Sequence, residues 1–170
     1  FTSVLERAVC TLQIVLEELG QADIPVEQSW RLNERHYGAL QGLRKGDTVE
    51  RLGKERVHRW RRSFDDPPPL LDQDDPRHPR FDPLYAGIDP ALLPGGESLK
   101  ATLERVLPYW REAIVPRLRA GDRVLVVAHG NSLRALVTYL EHIPPQDVPM
   151  LTIPNAIPRL YTLDDDLLSL

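Results

Sequence analysis

The sequence predicts an α/β fold: a three-layer α/β/α sandwich around a mostly parallel central sheet. Three observations predict it. Val124-Leu125-Val126-Val127 is an unbroken apolar run, the pattern of a central strand buried on both faces. It runs into Ala128-His129-Gly130-Asn131-Ser132, where Gly130 permits a sharp turn and Asn131 or Ser132 can cap the next helix. Along the whole chain, helix-period and strand-like segments alternate as helix, strand, helix, lid, helix, strand, helix, strand. His129 therefore falls where a buried strand meets a helix N-terminus. Backbone N–H groups there favour an anion, and the carboxyl edge of such a sheet is where ligands bind. A structural histidine at a strand-to-turn corner is the competing reading.

The elements follow in order. Ser3-Val4-Leu5-Glu6 has the form of a capping box. The helix after it carries Val4, Leu5, Ala8, Val9, Leu12, Val15, Leu16 and Leu19 at helical spacing and ends at Gly20. Arg7 stands in its first turn, where a cation opposes the helix dipole, so it is either solvated or serves a ligand. Ile24 to Leu32 reads as a short strand. Asn33-Glu34-Arg35-His36-Tyr37-Gly38 is a dense polar loop unlike core. Asp47-Thr48-Val49-Glu50 caps a second helix running to about Ser63, basic at its end with Arg56, His58, Arg59, Arg61 and Arg62. Basic residues in a last turn also suit a plain solvated helix end.

Residues 65–94 are rich in proline and poor in periodic apolar residues. An ordered lid anchored by Phe81, Leu84 and Tyr85 is the favoured reading of so long an irregular stretch. Gly95-Gly96-Glu97-Ser98-Leu99 then opens a long helix with Leu99, Leu103, Val106, Leu107, Trp110 and Ile114 on one face. Pro108 is expected to kink it. After the central strand, Leu133, Leu136, Val137 and Leu140 form the helix that Pro144-Pro145 ends, and Arg159 to Leu163 reads as a last short strand. Residues 1–170 are thus read as a single, partial domain.

Composition narrows the function classes. The chain has 170 residues, 42% hydrophobic and 27% charged, which is ordinary for a globular domain with a real core. No apolar run reaches membrane-spanning length, so no membrane partner is expected. A formal net charge of −4 argues against a nucleic-acid surface, so an anion site would be a local basic cluster. A single cysteine, Cys10, excludes an internal disulfide and fits a reducing compartment; its place on the first helix suggests a buried packing thiol.

The groups able to do chemistry are His129, Glu34, Arg7, Arg61, Arg62, Lys45, Tyr37 and Asn131. Guanidinium groups match phosphate or carboxylate oxygens bidentately. A partly buried Glu34 could shuttle a proton, and His129 could stabilise a phosphoryl oxygen. Together they suit a small, strongly anionic substrate. An ion pair between Glu34 and a neighbouring arginine is an equal alternative on spacing alone.

Three stretches resemble cofactor-dependent phosphoglycerate mutase of the histidine phosphatase superfamily: Leu32-Asn33-Glu34-Arg35-His36-Tyr37-Gly38, Trp60-Arg61-Arg62-Ser63-Phe64 and Ala128-His129-Gly130-Asn131-Ser132-Leu133-Arg134. Thr2-Ser3-Val4-Leu5-Glu6-Arg7-Ala8 and Leu40-Gln41-Gly42-Leu43 match in the same order, so the likeness covers nearly the whole chain. The resemblance implies interconversion of 3-phosphoglycerate and 2-phosphoglycerate through a phosphohistidine, in glycolysis and gluconeogenesis. It implies 2,3-bisphosphoglycerate as primer, no metal, small phosphorylated glycerates as ligands and a cytoplasmic setting, and leaves homo-oligomerisation open. On matching positions, Glu34 resembles the proton donor and acceptor, and His129 the second active-site histidine. Arg7 resembles the arginine that holds the transferring group. Arg35, His36, Tyr37, Lys45, Arg61 and Arg62 resemble the substrate-binding set, and Gly130 and Asn131 the phosphate-contacting turn.

One departure stands out. The family's nucleophile belongs to an Arg-His-Gly motif on its first strand, and none of His36, His58, His78, His129 and His142 stands in such a motif. The first strand and a C-terminal tail are therefore expected to be missing from this chain, which is expected not to turn over phosphoglycerate by itself. Bisphosphoglycerate mutase or a phosphatase of the same superfamily is the nearest rival. A truncated, non-catalytic protein that binds phosphorylated ligands is the third reading.

Overall fold

In the computed structural model, residues 1–164 are described. They divide into two compact units. One comprises Phe1–Glu34, Leu103–His142 and the described part of Thr152–Leu170; the other comprises Arg35–Thr102 and Ile143–Leu151.

In the first unit, Thr2 forms parallel bridges to Gln28 and to Val127. Thr2 N donates to Glu27 O and Ser29 N to Thr2 O, while Val127 N donates to Phe1 O. Three segments distant in sequence thus lie side by side in parallel, in the order 28, 2, 127. Phe1–Ser3 is extended rather than the start of a helix, which corrects the expected capping box. The first helix, α1 (Glu6–Glu18), has Leu5 as its N-cap without a side-chain cap bond. Ser3 Oγ instead accepts from Leu5 N at 3.2 Å, a tight turn that leads from the extended segment into the helix. Ala8, Leu12 and Leu16 form the buried stripe of α1, and Gly20, at φ +62°, follows its end. Cys10 projects about 200° round the helix from Ala8 and is exposed, so the expected packing thiol is corrected.

The core of this unit is built from Trp110, Ile114, Val115, Leu136 and Leu140, with Val124 and Val126 packed against it. Those two valines share one face of their segment because side chains alternate. Leu125 points the other way and is 36% exposed, so the run is covered on one face rather than both. Pro108 lies inside α4 (Leu99–Tyr109), which passes into a π-helical turn at Trp110–Ile114 and then into α5 (Val115–Arg119). Ile24 and Val26 are exposed, and the expected strand there is reduced to the Gln28 bridge followed by a 3₁₀ turn, Trp30–Leu32. Near the C-terminal end, Leu163 packs against the core, while Tyr161 and Arg159 both bond Glu141.

The second unit holds α2 (Lys45–Leu52) and α3 (Lys54–Arg62). The single helix expected from Asp47 to Ser63 is broken at Gly53, whose φ of +85° no helical residue adopts. Residues 65–94 run through three 3₁₀ turns, Pro79–Phe81, Pro83–Tyr85 and Pro90–Leu92. The segment is anchored by buried Pro68, Leu71, His78, Pro79 and Leu93, whereas Phe81 and Leu84 are exposed. The last helix, α6 (Gly130–Leu140), returns to the first unit. Among the described residues, no helix is long and apolar enough to cross a membrane.

Gly38 fixes the backbone where the polar loop meets the proline stretch. Its φ is +56°, and a Cβ there would lie 2.1 Å from Pro69 O. Gly38→Ala is expected to lower the urea midpoint by the equivalent of about 2 kcal/mol or more, from strain plus the clash. Gly87→Ala, at φ +88° but in open space, is the comparator and is expected to lose less.

Candidate active site

Two clusters of polar side chains hold most of the residues singled out from the sequence, one in each unit. The first forms around His129, the N-cap residue of α6. Ser132 pins it: His129 N donates to Ser132 Oγ and Ser132 Oγ donates to His129 O, each at 3.1 Å. The expected cap from Asn131 or Ser132 is thus supplied by Ser132, reaching back from the first turn. The ring is held from both sides. Arg7 Nε donates to His129 Nδ1 at 3.0 Å, and Ser3 Oγ lies 2.7 Å from Nε2. The contact explains an arginine in a first helical turn, since its guanidinium reaches toward the imidazole.

Burial, then Arg7, push the His129 pKa down to about 4, with Arg105 adding in the same direction and Glu34 opposing. A charged imidazolium would lose hydration and face a guanidinium, so the ring is neutral near pH 7. Glu34 is half-buried and its Oε1 accepts from Asn131 N at 3.2 Å, the second N–H of α6. A carboxylate there is favoured by the helix dipole. Arg7, Glu34, His129 and Asn131 are therefore gathered in one place, with Gly130 exposed at the first position of α6.

Glu34 owes its placement to a residue sequence reasoning missed. Arg105, on α4, is buried and donates to the carbonyls of Trp30 and Arg31 through Nη1 and to that of Asn33 through Nη2, at 3.1, 2.7 and 3.2 Å. Asn33 Oδ1 accepts from Val4 N. The backbone leading to Glu34 is thereby fixed on both sides. Nothing in the spacing marks Arg105, because its partners are main-chain carbonyls and no periodicity encodes them.

The second cluster centres on Tyr37. The guanidinium of Arg35 lies 4.8 Å from the ring centroid and that of Arg61 5.0 Å. Arg35 Nη2 also donates to Arg61 O, and Arg35 is almost wholly buried. One aromatic ring thus holds two like charges close together, which an anion would favour. His36 uses its own loop: Gly38 N donates to its Nδ1, and its backbone N–H donates to the buried carboxylate of Glu97 at 2.9 Å. Glu97 N donates back to His36 O. Glu97 was also unmarked in the sequence, where it reads as an ordinary residue near a helix start. Arg62 is half-buried at the end of α3. The side chain of Lys45 lies outside the described residues. Among the described residues, no group of three or more His, Cys, Asp and Glu is placed to hold a metal ion.

The His129 ring makes a pH-dependent contribution to stability. Its folded pKa, about 4, lies below the ordinary 6.5. Between those values the unfolded chain binds more protons at this position, so stability rises with pH through the window and falls as pH drops through it. NMR titration of His129 is expected to give a midpoint near 4. A midpoint at its ordinary value would contradict the buried, arginine-facing ring.

Comparison with known proteins identifies the family of the chain. The family model for the histidine phosphatase superfamily (branch 1) matches residues 1–78 and 70–168. The chain is similar to a 2,3-bisphosphoglycerate-dependent phosphoglycerate mutase of Nitratidesulfovibrio vulgaris, with 57% identity over 166 residues, covering 98% of this chain and 67% of that protein. It is similar in fold to the native mycobacterial glucosyl-3-phosphoglycerate phosphatase, at a TM-score of 0.62 and 24% identity, over 88% of this chain and 61% of that one. The complex of the same phosphatase with inorganic phosphate gives 0.61 and 24%, with the same coverage. The chain thus spans about two thirds of the curated relative and about three fifths of the solved chains. The chain belongs to the histidine phosphatase superfamily, branch 1, and within it to the group of the 2,3-bisphosphoglycerate-dependent phosphoglycerate mutases.

Proposed function

We propose that this chain carries the substrate- and proton-handling residues of a mutase that interconverts 3-phosphoglycerate and 2-phosphoglycerate through a phosphohistidine, a cytoplasmic step of glycolysis and gluconeogenesis. The observation that carries the reading is the 57% identity to a named mutase over 98% of the chain. The scaffold in this reading is a three-layer α/β/α sandwich, with the bridges at Gln28, Thr2 and Val127 marking three neighbouring parallel strands. No Arg-His-Gly motif occurs in the 170 residues, so the phosphoryl-accepting histidine of the reaction is not one of them.

Each cluster, taken by itself, presents groups suited to anionic oxygens. Arg35 and Arg61 stand together on Tyr37, and Arg7 stands beside His129 and near the N-terminus of α6. 2,3-Bisphosphoglycerate, when bound, supplies the phosphoryl group that primes the enzyme. Arg35, Tyr37, Arg61 and Arg62, with Lys45 and His36, bind the substrate carboxylate and phosphate in this reading. Arg7 supplies fixed positive charge to the transferring group. His129, neutral, donates one hydrogen bond to a phosphoryl oxygen and adds no second full charge. Glu34 accepts the proton of the attacking glycerate hydroxyl and returns it when the phosphoryl group leaves. Gly130 lets an anion approach the first turn of α6, since nothing lies within 4 Å of where its Cβ would stand.

Rates of mutase, synthase and phosphatase reactions on a full-length background test the reaction, and dominant hydrolysis would favour the phosphatase alternative. Incubation of the chain with labelled 2,3-bisphosphoglycerate is expected to leave no acid-labile label, because no residue of the chain matches the nucleophile. Glu34→Gln in a full-length background is expected to lower phosphoryl transfer by about two orders of magnitude or more. A near-normal rate would remove Glu34 from the mechanism. Arg62→Ala is expected to raise KM with a smaller effect on kcat; an unchanged KM would return Arg62 to a solvated helix end.

A further inference from the structure

We infer that Ser3 is a positioning residue of this site, whose hydroxyl holds the His129 ring in one orientation as the acceptor for its Nε2–H. The argument starts from donor inventory. Arg7 has only donors, so the 3.0 Å contact of its Nε with His129 Nδ1 requires a lone pair on Nδ1. A neutral imidazole has one ring proton, which must then sit on Nε2. Ser3 Oγ, 2.7 Å away, is its acceptor. The same oxygen accepts from Leu5 N at 3.2 Å, so both its lone pairs are directed by donors.

The backbone leaves Ser3 little choice. Thr2 is bonded on both edges, through its own N–H and C=O to Glu27 and Ser29 and through Phe1 O to Val127 N. Thr2 Oγ1 adds a bond to Val127 O at 2.7 Å. Alternation along this segment turns Ser3 to the face opposite Thr2. Ser3 is fully buried and His129 nearly so, which removes water as a substitute acceptor. The charged groups facing the ring are Arg7, Glu34 and Arg105.

The functional consequence rests on the mutase reading. Nε2–H is the ring's single donor, and Ser3 keeps it satisfied and aimed until a phosphoryl oxygen replaces the hydroxyl as its acceptor. Exchanging one oxygen acceptor for another changes little in energy, whereas a buried donor with no acceptor is costly and invites the ring to turn. A serine oxygen suits the task because its two lone pairs can accept from Leu5 N–H and from Nε2–H at once.

The test is imidazole NMR on the chain with ¹⁵N-labelled histidine, assigned by comparison with His129→Asn. The unaltered chain is expected to show His129 with a pyridine-like Nδ1 and a slowly exchanging Nε2–H. A proton on Nδ1, or a ring averaging between tautomers, overturns the inference without any variant. Ser3→Ala is expected to speed exchange of that proton at least tenfold while Nδ1 stays pyridine-like, and Ser3→Thr to restore slow exchange. Unchanged exchange in Ser3→Ala also overturns it. In a full-length background, Ser3→Ala is expected to lower kcat about tenfold with KM within twofold. Equal losses in the two parameters, or none, refute positioning. The ring spectrum is independent of turnover, so loss of the mutase reading would show in the unaltered protein's activity and failure of the Ser3 role in the spectrum.

Discussion

Thr2 holds together the half of the molecule in which the histidine sits. Its main chain bonds the segment that leads to Glu34, while the carbonyl of Phe1 before it and its own side chain bond Val127 in the segment that leads to His129. Every residue of the first cluster is measured from that junction. Ser3 follows by one position, Arg7 by one turn of α1, Glu34 by the short connection through Trp30–Leu32, and His129 by two residues beyond Val127. A buried threonine with all its polar groups bonded is a rigid reference point. Ser3 and Arg7 can then be held within hydrogen-bond distance of His129, with Glu34 on the Asn131 N–H beside them.

The electrostatic character of the site follows from that rigidity. An arginine placed against an imidazole would ordinarily move away, or the imidazole would lose its proton; here the backbone fixes both, so the proton is lost. Positive charge is concentrated on guanidinium groups, which stay charged at any pH the fold tolerates. The titrating group becomes a neutral donor. In the second cluster two guanidinium groups, those of Arg35 and Arg61, stand on one aromatic ring, that of Tyr37.

Much of this was legible in the sequence, and the reasons for the failures are physical. The helical face of Ala8, Leu12 and Leu16, the end at Gly20 and the helix after His129 follow from periodicity and backbone chemistry. The motifs containing Glu34, Arg61 and His129 pointed to the right family. Ser3 was misread because Ser-x-x-Glu before an apolar run is a real capping signal, and tertiary pairing of Thr2 overrode it. Gly53 was passed over inside a run that otherwise suited one helix. Cys10 reads as buried from its place on an apolar helix, yet two 100° steps carry it away from the Ala8 face and leave it exposed. Phe81 and Leu84 were credited as anchors by size, yet Leu71, Leu93 and the His78 ring are the groups that are buried. Arg105 and Glu97 bind main-chain atoms, and no pattern of residue types records such a bond.

The bond between Ser3 and His129 spans 126 positions, and that between Arg7 and His129 spans 122. A chain with its key contacts between such distant segments closes a large loop before those contacts return any energy. During synthesis, the stretch containing Arg7 and Glu34 leaves the ribosome long before the stretch containing His129 exists. Helices such as α1 can form early, but the histidine cluster is among the last features to assemble. Until then the segment around Thr2 is an extended strand with an unsatisfied edge, so folding of this unit is expected to be slow and to benefit from chaperones that shield such edges.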